Sequence, residues 1–165
     1  MPHASRQSSS PAHAPSATAA VATTAGSPAA AKDYVTALET RGLLEERLAA
    51  ILPAREPLAM AIIDVVGLKA VNERDGFLAG DSMLRAAADR LRGAATEADL
   101  LARLGGDELV ALFLGPRADE AARRAAGELA GGTAHPALRA AALSAADGET
   151  SAELIERLYA TLRRC

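Results

Sequence analysis

The sequence predicts an α/β (α+β) sandwich, with a mainly antiparallel central sheet flanked by helices. Three observations predict it. Gly105-Gly106 joins two short apolar runs, Leu100 to Leu104 and Leu109 to Leu114; a Gly-Gly pair takes positive φ without steric cost, so this is a β-hairpin signal. The run from Leu58 to Asp64 is continuously apolar until its closing acid, the pattern of a buried central strand. Amphipathic helical segments alternate with these strand-like runs. Neither a G-x-G-x-x-G after the first strand nor a G-x-x-x-x-G-K-[ST] occurs, so the doubly wound dinucleotide fold and the P-loop fold are both excluded.

Taken in order, residues 1–31 hold four prolines among Ala, Ser, Thr, Gly and His, with Arg6 as their only formal charge and no Leu, Ile or aromatic residue. Such a segment buries too little surface to offset its ordering entropy and is expected to be a disordered tail. Its Ala17–Thr24 stretch is too weakly apolar for a signal peptide. Residues 32–165 are expected to form a single domain. Lys32 to Leu52 reads as helical with a break near Thr40–Gly42, and Pro53 and Pro57 end it. The strand Leu58–Asp64 follows. Val65 to Ala79 reads as a loop around Gly67 and Gly76 with a short helical stretch from Leu68 to Glu73. Asp81 or Ser82 is then expected to cap a helix running to Gly93. After the hairpin at 99–114 come a helix from Asp119 to Leu129, a strand from Leu138 to Ser144, and a closing helix from Ser151 to Arg164.

Composition narrows the function. Aromatics make up only 2% of the residues, so the core must pack through aliphatic contacts. The net charge of −3, with no basic patch, argues against nucleic acid as a partner. Cys165 is the only cysteine, which leaves no disulfide framework and no cysteine metal site and suits the cytoplasm. No stretch approaches the roughly 20 apolar residues of a membrane helix, so no membrane partner is expected. Tyr159 on the last helix reads as packing.

The chemistry-bearing residues converge on the hairpin. Asp64 closes a buried strand, where a carboxylate is either costly or held by a cation. Asp107 and Glu108 stand at the hairpin tip. Acids on neighbouring strands with backbone carbonyls nearby make an oxygen-rich site suited to Mg²⁺ or Mn²⁺ and to nucleotide phosphates. Asn72 and Asp81 flank the intervening loop and offer an amide and a carboxylate for a guanine edge, and Lys69 suits a phosphate.

This arrangement resembles the GGDEF family, the diguanylate cyclase domain, from about Asp33 to the end of the chain. Asp33-Tyr34-Val35-Thr36-Ala37-Leu38-Glu39-Thr40-Arg41 is similar to that family's opening D-x-L-T-G-L-x-N-R, with Ala37 and Thr40 in place of Gly and Asn. Asp64 to Glu73 resembles D-x-D-x-F-K-x-I-N-D, Gly76 to Asp81 resembles G-H-x-x-G-D, and Arg103 to Leu109 carries the signature as a divergent GGDEL. Asn72, Asp81 and Asp107 follow Asp64 by 8, 17 and 43 residues, in register with the family. The resemblance implies a nucleotidyl-cyclase-like fold with the signature on the hairpin. It implies metal ligation by Asp64, the Val65 carbonyl, Asp107 and Glu108, with Asp107 and Glu108 catalytic. Asn72 and Asp81 would hold guanine and Lys69 a phosphate. Each domain would bind one GTP, and a homodimer would make cyclic di-GMP. Val66, Glu73, Phe77 and Leu109 depart from the pattern, and Leu154 to Cys165 runs out before the family's closing Lys and Arg, which hold the triphosphate. These departures support the alternative of a degenerate, inactive domain that binds GTP or a regulatory protein partner.

Overall fold

The apolar run that begins at Leu58 becomes the central strand of the domain. In a computed structural model of the chain, residues 32–165 are described, and the tail expected at residues 1–31 lies outside them. β2 (Leu58–Val65) is buried along its whole length. It pairs antiparallel with β4 (Glu108–Leu114) on one side and with β5 (Leu138–Ser144) on the other. β3 (Leu100–Arg103) is antiparallel to β4, and β1 (Glu39–Thr40) lies parallel to β3 at the edge. The order is β1-β3-β4-β2-β5, a five-stranded sheet that is antiparallel but for its edge pair.

Strand alternation gives the sheet two apolar faces. Ala59, Ala61, Ile63, Leu109, Ala111 and Phe113 meet α3 (Phe77–Ala94) and α4 (Ala118–Gly131). Met60, Ile62, Val110 and Leu112 meet α1 (Arg41–Ile51) and α5 (Ser151–Leu162). Alanine brings α4 close to the sheet, through Ala118, Ala121, Ala122 and Ala125. The weak strand former alanine also fills the middle of β5. Pairing with β2 over seven consecutive positions overrides that local propensity.

Three local expectations are corrected. Residues 32–40 are not helical. Asp33 Oδ1 accepts hydrogen bonds from the Thr36 amide at 2.8 Å and hydroxyl at 2.7 Å, closing a tight turn that competes with helix. Ala37 adopts φ of 55°, a left-handed position, where the GGDEF pattern carries glycine. Second, α3 starts at Phe77, because Gly76, at φ 85° and ψ 166°, breaks the chain after α2 (Leu68–Asp75). Asp81 therefore lies inside α3 and caps nothing, while Ser82 donates its hydroxyl back to the Leu78 carbonyl. Third, neither Gly105 nor Gly106 has positive φ. Room for the Glu108 carboxylate gives Gly105 a use, since a Cβ there would lie 2.8 Å from Glu108 Oε2.

Candidate functional site

The hairpin tip is held in place by Arg103. Its guanidinium donates to the Gly105 carbonyl at 3.1 Å and the Gly106 carbonyl at 2.6 Å, and pairs with Asp33 at 3.0 Å. Burial pushes the Asp33 carboxyl up, but the hydrogen bonds from Thr36 and the Arg103 charge outweigh it and hold the carboxyl below its ordinary value. The Val65 amide donates to the Asp107 carbonyl at 3.0 Å, which stitches the tip to the end of β2. Main-chain atoms thus do the structural work at residue 107 and leave its carboxylate for the site.

Cross-strand register sets three charges side by side. Asp64 is the Cα partner of Glu108 on β4 and of Arg139 on β5. Asp64 is the only charged residue among the buried ones described, at 8% exposure. Arg139 donates to its Oδ2 from Nη2 at 2.6 Å and from Nε at 3.0 Å. Tyr159 of α5 reaches Glu108 Oε2 at 3.4 Å, so its hydroxyl belongs to the site and the packing expectation for it was incomplete. Burial raises the Glu108 carboxyl above its ordinary value, and the Asp107 and Asp64 charges add to that, with Tyr159 and Arg41 opposing.

An elevated folded-state pKa means that ionising Glu108 costs stability as pH rises through it. Glu108→Gln should therefore raise the melting temperature of metal-free protein at neutral pH by about 1–3 °C. The gain should vanish below the ordinary glutamate range, where both side chains are neutral. A destabilised Gln variant at neutral pH would show that the acids do not strain one another.

Beside this row lies a cavity of about 460 Å³ lined by Leu68, Lys69, Asn72, Glu73, Phe77, Gly106 and Asp107. It unites residues from α2, the start of α3 and the hairpin tip, among them three of the expected site residues. Gly67, in the left-handed region at φ 85°, turns the chain from β2 into α2 and so presents Lys69 and Asn72. The Asn72 side chain rests on Gly80: a Cβ there would fall 1.8 Å from Asn72 Oδ1, so an alanine would drive the amide away. Lys69 is 89% exposed, 3.8 Å from Glu73. Asp81, one residue beyond Gly80, does not line the cavity. A larger groove of about 880 Å³ runs along α5, where Asp147, Glu149, Glu153 and Glu156 outnumber Arg157 and Arg163, a balance that disfavours a polyphosphate.

Among the described residues, no three Asp, Glu, His or Cys side chains are close enough together to hold a metal ion as they stand. The donor chemistry nevertheless fits a hard divalent cation. Asp64 and Glu108 are adjacent across strands, Asp107 is next in sequence, and the charges of both aspartates add to the burial that raises Glu108. Arg139 was missed in the sequence. The available signal was a lone charge in the alanine-rich strand Leu138–Ser144, but its register against Asp64 is a tertiary fact.

Comparison with known proteins points to one family. The family model described as "Diguanylate cyclase, GGDEF domain" matches residues 30–157. The diguanylate cyclase TpbB of Pseudomonas aeruginosa is 44% identical over 93 residues, covering 54% of this chain and 21% of TpbB. The chain thus spans about a fifth of that relative's length. A sensory box/GGDEF family protein from Caulobacter crescentus superposes with a TM-score of 0.67 at 32% identity, covering 82% of this chain and 97% of that one. The diguanylate cyclase SiaD of Pseudomonas aeruginosa, solved in complex with its activator SiaC, gives a TM-score of 0.66 at 25% identity over 81% of this chain and 56% of SiaD.

Proposed function

The chain belongs to the diguanylate cyclase, GGDEF domain family, matched over residues 30–157, and from that premise we propose that it condenses two GTP molecules into cyclic di-GMP. The observation that carries this reading is the cavity in which Lys69, Asn72 and Asp107 meet, beside the acid row of Asp64 and Glu108. In the proposed complex Asn72 hydrogen-bonds the guanine edge, with Asp81 beyond Gly80 as a second contact. Lys69 leaves its weak, exposed pairing with Glu73 for a phosphate.

Asp64, the Val65 carbonyl, Asp107 and Glu108 would hold Mg²⁺ or Mn²⁺, and phosphate oxygens would complete the coordination. The bound cation would neutralise charge on the α-phosphate. The reaction joins the 3′-oxygen of one GTP to the α-phosphorus of the other, breaks the bond to pyrophosphate and releases the hydroxyl proton; two such steps close the ring. Glu108, next to the reacting phosphate in this reading, would receive that proton. The rest is positioning, which requires two domains face to face, hence a homodimer.

A second reading has its own support. Arg139 already neutralises Asp64, and Phe77, where the family pattern carries His, is 78% exposed at the cavity. A degenerate domain would bind GTP without turnover and act through a regulatory protein partner, as SiaD is bound by SiaC. Among the described residues no helix is long and apolar enough to cross a membrane, and we place the protein in the cytoplasm with neither membrane nor nucleic acid as a partner. Incubation with GTP and Mg²⁺ or Mn²⁺, followed by chromatography, separates the two readings. Cyclic di-GMP, formed with a specific activity that rises with protein concentration, is the expected result. Bound GTP with no product at high protein concentration would favour the degenerate domain.

A further inference from the structure

Three side chains form one row across the sheet: Glu108 on β4, Asp64 on β2 and Arg139 on β5. They lie on the face that packs against α1 and α5, because strand alternation groups them with Ile62, Val110 and Ala141. Asp64 keeps only 12% of its side-chain exposure, whereas Arg139 keeps 52%. The anion is therefore largely desolvated, and the cation reaches it from the solvent side. Both guanidinium bonds fall on one oxygen, Oδ2. A buried carboxylate needs such a partner, but the partner need not be permanent. A half-exposed guanidinium returns to water at little cost when another cation takes its place.

We infer that Arg139 is a resident counter-ion that competes with a divalent cation for Asp64, so that the nucleotide-free domain binds metal weakly. The inference rests on the reading of Asp64 as a metal ligand. The two charge-assisted bonds from Arg139 already satisfy much of the Asp64 charge, so a cation that ligates either carboxylate oxygen must compete with them. A nucleotide arriving with its cation brings both things the exchange needs: a divalent charge for Asp64, and phosphate oxygens for the freed guanidinium. Arg139 thereby couples metal loading to substrate, and the empty domain is kept from holding an idle ion.

The test is Mn²⁺ binding to the full nucleotide-free chain, followed by the electron paramagnetic resonance signal of free Mn²⁺. Arg139→Gln keeps length and polarity but removes the charge, and should bind Mn²⁺ about tenfold more tightly than the unaltered protein. Arg139→Lys keeps a cation and should stay near the unaltered value. The gain should be absent when Arg139→Gln is combined with Asp64→Asn. Measurable but equal or weaker binding by Arg139→Gln overturns the inference alone, and so does a gain that survives Asp64→Asn. Absence of Mn²⁺ binding in every form, with or without GTP, overturns the metal reading as well.

Discussion

Asp107→Ala is expected to reduce cyclic di-GMP formation by at least about 10²–10³-fold while leaving the fold intact. The carboxylate lines the cavity and adds to the charge pressing on Glu108, so in the proposed site its loss removes a cation ligand beside the phosphates. The structural role of the residue is carried by its carbonyl, which accepts from the Val65 amide whatever the side chain. Chromatography of the GTP reaction measures the loss, and a thermal melt close to that of the unaltered protein shows that folding is not the cause. Activity within tenfold of the unaltered protein would remove Asp107 from the metal site.

Phe113→Ala should cost about 3–5 kcal/mol of folding stability. The sequence has only two phenylalanines, and Phe77 is exposed, so Phe113 is the one fully buried aromatic ring among the described residues. It fills the face beneath α3 and α4, where most neighbours are alanines on rigid elements that cannot move in to close the void. Against a total of roughly 5–15 kcal/mol for a domain of this kind, the loss approaches unfolding. Urea denaturation measures it. A cost below about 1.5 kcal/mol would mean that the core under α4 is loosely packed.

Strands and their pairing were legible where the pattern was simple. The apolar run at 58–64 and the two runs either side of Gly105-Gly106 became β2, β3 and β4, and three of the motif residues, Lys69, Asn72 and Asp107, line one cavity. Local chemistry misled where a competing bond was stronger than the pattern. Asp33 captures Thr36 and turns the chain, which helical periodicity through Lys32–Leu52 gave no means of weighing. Asp81 looked like a cap because Asp caps helices, but Gly76 ends α2 and starts α3 without a side-chain cap. The roles of Arg139 and Tyr159 depend on which strand or helix lies across from an acid, and spacing along one chain does not encode that. Gly80 belongs to the same class: its place in a motif was visible, but its use as the seat of the Asn72 amide required the packing of α2 on α3.

The proposed recognition of guanine by Asn72 is the point at which site and function meet, and isothermal titration with GTP and with ATP tests it directly. The unaltered protein should prefer GTP, and Asn72→Ala should weaken GTP binding by about 1–3 kcal/mol while changing ATP binding little, so that the preference collapses. A GTP preference that survives Asn72→Ala undiminished would contradict the placement of the guanine base in this cavity.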